Sequence, residues 1–271
     1  MGLRINTNVP ALNASRTLRR STSGLNKSLE RLSSGLRINR AADDAAGLAI
    51  AEGFRSVVRG TQVSQRNAQD GISLVQTAEG ALSETTNILQ RVRELAVQAA
   101  NGTQSTSNRA ALNTEVQQLL AQVDDIAVDT EFNGIKVLSA NQSVTLQAGA
   151  KVSQTLTVAV SGAKSNDLKV SDVQISSIAL AVSAISAVDV ALESVGTLRS
   201  NLGAFQNRLE FTVSTLAVQE QNAAASESQI RDADIAQETI TFTRNQILVQ
   251  AGTSILAQAN VTPQSALQLL G

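Results

Sequence analysis

The chain has no cysteine, no histidine, no tryptophan and no tyrosine. Without Cys or His there is no disulfide, no thiol nucleophile, no imidazole acid–base chemistry and no His/Cys metal site. Aromatic content is limited to five Phe, 2% of 271 residues. A rounded core of that size uses more large rings, whereas thin helical layers are filled with Leu, Ile, Val and Ala. Proline occurs only at Pro10 and Pro263, and the 252 residues between them contain none, which permits very long helices. Charge of one sign is not in excess: the formal net charge is −1 and the pI about 5.6. That speaks against a nucleic-acid binder, which shows a basic excess and stacking aromatics. No run of about 18 apolar residues is present, so no membrane span is expected. The N-terminus lacks the apolar core of a secretory signal. A cytoplasmic chain, or one exported without a cleaved signal, is expected. No cofactor is expected.

What the chain does have is a sustained heptad seam. Stepping alternately by three and four from Ile178 gives Ala181, Ile185, Val188, Leu192, Val195, Arg199, Leu202, Gln206, Leu209, Val213, Leu216, Glu220 and Ala223. Eleven of these fourteen positions are apolar. That is a coiled-coil helix on the order of 70 Å long at about 1.5 Å per residue. One apolar stripe cannot stand alone in water, so the rest of the chain must supply partners.

Ahead of it, a first amphipathic helix follows Pro10, with Leu18, Leu25, Leu29, Leu32 and Leu36 at heptad spacing. Residues 1–40 hold eight Arg or Lys, Arg4 among them, and one acid, Glu30. This is either a solvated basic face or a face that meets acidic neighbours in an assembly. Ser33, Ser34 and Gly35 break the helix. Asp43 and Asp44 suit a helix N-terminus; as metal ligands they would point apart, with no third ligand nearby in sequence.

Residues 44–100 read as a second long helix. Its seam is Val75, Ala78, Leu82, Thr85, Leu89, Val92, Ala96 and Ala99, widened by Leu74, Ala81, Ile88 and Leu95. Asn101-Gly102-Thr103 stops it. A third helix is expected at about 105–129, with Leu112, Val116, Leu119, Val123 and Ile126 on one face. After Phe132-Asn133-Gly134 the period changes to two. Val144 and Leu146, then Leu156, Val158 and Val160, alternate with polar residues as hairpin strands do. Ser161 to Asp167 reads as a polar loop before the seam helix. A break at Ser226–Asp234 leads to a last helix running to Gly271, with Ile247, Leu248, Ala251, Ile255 and Ala259 on its apolar side.

The expected fold is mainly α: an elongated antiparallel coiled-coil helical bundle, with a small β-hairpin region at one end and paired terminal helices at the other.

Several long motifs resemble bacterial flagellin over nearly the whole chain. They are LERLSSGLRINRAADDAAGLAIAE (29–52), the segment from Asn67 to Thr103, TEFNGIKVL (130–138), LGAFQNRLEFTV (202–213), ESQIRDADIA (227–236) and QILVQAGTSILAQAN (246–260). The resemblance implies a secreted, extracellular, self-assembling subunit of the flagellar filament, exported through the flagellum's own channel. It implies partners: further copies of itself, an export chaperone, and cap and junction proteins. It also implies a domain division. Residues 1–43 and 227–271 would form the inner coiled coil with its linkers. Residues 44–175 and 176–226 would form the outer helical bundle. Two departures stand out. Only about 45 residues separate Phe132 from Ile178, which leaves no room for large variable outer domains. Phe242 stands where the family has a smaller or more flexible residue. By resemblance, the flagellin-sensing Toll-like receptor of a host would contact Arg91 and Leu95 in QRVRELAVQ, and Glu115 on the third helix. The residues themselves read Leu95 first as lateral packing between subunits. Two other functions share these features: a hook–filament junction protein and a flagellin-like cell-surface binder. An enzyme would need a Lys or carboxylate site, and no pair sits in a recognisable constellation.

Overall fold

Helix boundaries follow from local chemistry. In the computed structural model, which describes the backbone of residues 7–268 and the side chains of residues 7–261, the Asn8 side chain accepts a hydrogen bond from Ala11 N at 3.1 Å and Pro10 sits in the first turn of α1, Val9–Ser34. Such a cap satisfies an orphan donor of that turn. Gly35, at φ +71°, ends the helix in the left-handed conformation. The Asp44 carboxylate accepts from Gly47 N at 2.9 Å and starts α2, Ala45–Ala100. Ser105 caps α3, Thr106–Asp129. Short strands follow: β1 Glu131–Phe132, β2 Ile135–Lys136, β3 Gln142–Gln147 and β4 Thr155–Val160. Then come α4, Ile178–Arg231, and α5, Ile235–Gln268, whose first turn is capped by Asp234. The break between α4 and α5 is therefore only 232–234, shorter than the Ser226–Asp234 break expected. The Ser226 hydroxyl donates to Asn222 O at 2.8 Å and is absorbed by the helix instead of interrupting it. Arg4 and residues 269–271 lie outside the described residues.

The chain divides into two compact units, residues 57–221 and residues 1–56 with 222–271. The division falls within the spans of α2 and α4.

Unit 57–221 holds the hydrophobic core. All eight positions of the expected α2 seam, from Val75 to Ala99, are buried. On α4 every seventh residue from Ala181 through Val188, Val195, Leu202, Leu209 and Leu216 to Ala223 is buried, while Ile185, Leu192, Arg199, Gln206, Val213 and Glu220 are half-buried. The two helices run antiparallel, as the Arg93–Asp189, Glu79–Arg199 and Gln62–Glu220 pairs require. On α3 the buried stripe is rotated from the expected one. Val116 and Val123 are buried, but Leu120 and Ala127 fill the deep positions, and Leu112, Leu119 and Ile126 sit at the edge. From α3, Arg109 donates Nε to Ala99 O at 2.9 Å and Nη2 to Asn101 O at 3.1 Å. Ala99 O is among the last carbonyls of α2, which lack a partner within the helix, and Asn101 O in the following turn also accepts from Gln104 N at 3.2 Å.

β3 and β4 pair antiparallel from Gln142↔Val160 to Gln147↔Thr155. Leu156, Val158 and Val160 are buried, with Leu146 packed against the core. A Cβ at Gly71 would collide with Leu146 and press on Leu209, so glycine lets the hairpin and α4 close on α2. Asn133 (φ +50°) and Gly134 (φ +77°) form the left-handed turn between β1 and β2. Within the expected polar loop Ser161–Asp167, Ala163 and Ser165 are buried, and the stretch that follows it before α4 also turns inward, with Leu168, Val170, Val173 and Ile175 buried. The segment is fastened to α3 by Asp124, which accepts from Ser165 N and Oγ at 2.7 and 2.8 Å, and by Asn113, which accepts from Ile175 N.

By length and composition α4 is apolar enough to cross a membrane, with a mean hydropathy of 1.8 over an 18-residue window. That apolarity has a use within the fold, since Ala181, Val188 and Val195 join the core and Asp189 pairs with Arg93.

In the other unit, α1 and α5 pair antiparallel. Asn8 donates to Ala259 O at 2.9 Å, Leu18 lies against Gly252, and Arg31 reaches Glu238 at 3.5 Å. Their Cα atoms approach within 8 Å along the pair.

Candidate assembly surface

The α1–α5 pair is close because its seam is made of small residues. On α1 the inward face is Ala11, Ala14, Leu18, Ser21, Leu25, Ser28 and Leu32, a strict alternation of three and four. Ser21 and Ser28 are its only buried residues among those described. Leu18, Leu25 and Leu32 lie on this seam as expected, but Leu29 does not: it is 48% exposed, on the far side. On α5 the inward face is Asn245, Val249, Gly252, Leu256 and Ala259. A Cβ at Gly252 would stand 3.2 Å from Leu18 Cδ1. The expected inner residues Ile247, Leu248 and Ile255 are instead 61%, 46% and 60% exposed. The physical reason is that α5 is apolar on more than one side. Close backbone approach selects the side carrying Gly and Ala, and the large side chains are turned out.

With Ile240, the exposed Ile247, Leu248 and Ile255 form a continuous outward stripe along α5. Among the described residues, the hydrophobic core cluster spans residues 68–209 and takes nothing from α1 or α5. Unit 57–221 also shows apolar side chains outward, notably Leu180, Val182, Val190, Phe211 and Val218 on α4. Surplus apolar surface of this extent marks interaction sites.

Charge organises the turn between α1 and α2. Asp43 pairs with Lys27 at 2.7 Å and accepts from the backbone N–H groups of Asn39 and Arg40. The Lys27 bond, first, and the Arg40 amide hold its carboxyl down at about 2. Glu30 accepts from Asn39 Nδ2 and Arg40 Nε, which lower its pKa in that order. The adjacent acids thus have separate jobs: Asp44 caps a helix and Asp43 clasps a turn.

On α2, Arg91 is exposed and bridges Glu115 of α3 at 2.9 Å and Glu94 at 3.2 Å. Both carboxylates raise its pKa, Glu115 the more. Leu95 does not share that exposure. It is 1% exposed and belongs to the chain's own core, because α3 lies along that side of α2. Its place in this structure is intramolecular packing. Arg109 and the Ser21/Ser28 seam escaped the sequence analysis. The alternating Ala, Leu and Ser positions from Ala14 to Leu32 were the signal available for the second.

Comparison with known proteins places these surfaces in context. The family model for the bacterial flagellin N-terminal helical region matches residues 5–143, and that for the C-terminal helical region matches residues 185–270. The chain is 49% identical over 279 residues to flagellin of Halalkalibacterium halodurans, covering 98% of this chain and 99% of that one. It is 44% identical over 303 residues to flagellin of Bacillus subtilis, covering 99% and 100%. It is also 44% identical over 283 residues to the flagellar filament 33 kDa core protein of Treponema phagedenis, covering 98% and 99%. These matches define a structural subunit of a flagellar filament and not an enzyme. The chain belongs to the bacterial flagellin family.

Proposed function

We propose that the chain polymerises into the flagellar filament chiefly by burying the outward α5 stripe of Ile240, Ile247, Leu248 and Ile255 against further copies. The observation that carries this is the mismatch between a pair whose shared seam is small and an outer face that is large and apolar. Burial of each such side chain is worth about 1.5–3 kcal/mol, which offsets the ordering cost of two helices that share little core. The same thin pairing suits export through the flagellum's own channel, with an export chaperone covering the stripe beforehand and cap and junction proteins meeting it at the filament's ends. Exposed Arg91, held by Glu115, is the part of QRVRELAVQ that a host's flagellin-sensing receptor would read.

The test is a double variant, Ile247→Asp with Ile255→Asp. Both residues are exposed, so unit 57–221 should melt as in the unchanged chain, while pelleting of polymer from filament seeds should be lost. Normal pelleting by this variant would remove the stripe from the assembly.

A further inference from the structure

Residues 7–29 contain no acid, and neither do residues 239–261. Arg16, Arg19 and Arg20 fall within about 100° of one another on α1, on the side opposite the seam with α5, and all three are exposed. Among the described residues none of them has a salt bridge, whereas Lys27, Arg31 and Arg40 are paired with Asp43, Glu238 and Glu30. Guanidinium groups at i, i+3 and i+4 on one face repel each other, so an unaccompanied trio is a cost in any close-packed array.

Every acid of the unit lies in residues 30–52 or 227–238. Most are committed to cations of the unit or to a helix cap. Asp232 and Asp234, in the turn between α4 and α5, are exposed, and Asp232 has no side-chain partner among the described residues. Leu36 bridges Asp232, so the turn sits about 25 Å along the helix axis from Arg19, at about 1.5 Å per residue. That separation is about three screening lengths at physiological salt. The basic face and the acidic turn of one chain therefore cannot satisfy each other.

Resting on the filament reading above, we propose that they are satisfied between copies: the Arg16–Arg19–Arg20 face of one subunit docks on the Asp232–Asp234 turn of a second copy. In a polymer of identical chains the matching anions come from the chain's own surface, and a stagger of about 25 Å along the helix axis brings the two bands together. The contact adds electrostatic register to an apolar interface, in the way complementary charge specifies partners more than it tightens them.

The test is elongation of preformed wild-type filaments by purified monomers, with critical concentration as the readout. The variants are Arg16→Glu/Arg19→Glu/Arg20→Glu, the same triple with Asp232→Arg and Asp234→Asn in one chain, and Arg16→Ala/Arg19→Ala/Arg20→Ala. Asparagine at 234 keeps a capping oxygen for α5. The expected result is a critical concentration raised about tenfold or more for the reversed triple (1.4 kcal/mol per tenfold), a smaller rise for the alanine triple, and recovery in the charge-swapped chain. It should also rise with salt for the wild type and stay flat with salt for the alanine triple. Wild-type elongation by the reversed triple overturns this contact and leaves the filament reading intact. The reversed and swapped chains failing equally, with native helical circular dichroism, also overturns it. Wild-type monomers failing to elongate seeds would overturn the filament reading itself.

Discussion

Leu209 has no exposed surface and sits where α4, the hairpin and α2 meet. Leu209→Ala should cost about 2–5 kcal/mol, the usual range for a leucine cavity, read as a lowered melting temperature of residues 57–221. A shift within error would mean that the heptad register on α4 is misassigned. Leu95→Ala should behave like it, since Leu95 is equally enclosed. Arg91→Ala should move the melt by no more than about 0.5 kcal/mol, because its ion pairs are exposed. If Arg91 meets a receptor, that variant should lower signalling without touching stability. Asp43 tests the turn. Its folded pKa of about 2 lies below the ordinary 3.8, so the group stabilises the fold above the ordinary value, and that contribution is lost as pH falls through about 2. Protection of the Asn39 and Arg40 amides, whose N–H groups the carboxylate accepts, measured against their intrinsic exchange rates, should therefore fall as pH drops from about 4 to 2, and Asp43→Asn should remove that step. An identical loss of protection in the variant would put the clasp elsewhere.

The long helices were legible in the sequence because a period sustained over many heptads leaves one consistent face. The α2 seam and the every-seventh positions of α4 are buried as expected. The terminal pair was legible as a pair but not in its faces. Ile247, Leu248 and Ile255 are large apolar residues at helical spacing, and hydrophobicity alone assigns them inward. Backbone proximity assigns the inner face to Gly252 and Ala259 instead. The α3 stripe differs by one position at Leu120 and Ala127, and the Arg109 bonds to the end of α2 have no periodic signature. The buried 168–175 segment lacks any period and is held by side chains of α3. At this scale Ser28→Leu is decisive. Ser28 is a buried small residue of the close α1–α5 seam, so the larger side chain should force the helices apart. Polymerisation should weaken while the melt of residues 57–221 stays unchanged. Normal polymerisation would show that close approach is not required.

At the scale of the whole molecule, the two compact units differ in what holds them. Residues 57–221 have a core of large, fully buried side chains, Leu82, Leu89, Leu138, Leu202 and Leu209 among them. The unit of the two chain ends rests on a thin seam, a few ion pairs and the 36–38/231–233 backbone bonds. Local stability should follow that contrast. The filament reading proposed above accounts for such a unit, with neighbouring copies covering what its own seam leaves exposed. The most direct measurement is electron microscopy of the purified chain, alone and with short filament seeds, with limited proteolysis before and after assembly. Long uniform filaments should form, and the protease should trim the free monomer to a core of roughly residues 45–225 while sparing both ends in the polymer. A monomer whose ends resist protease as well as its middle, or a chain that adds to no seed, would contradict the account.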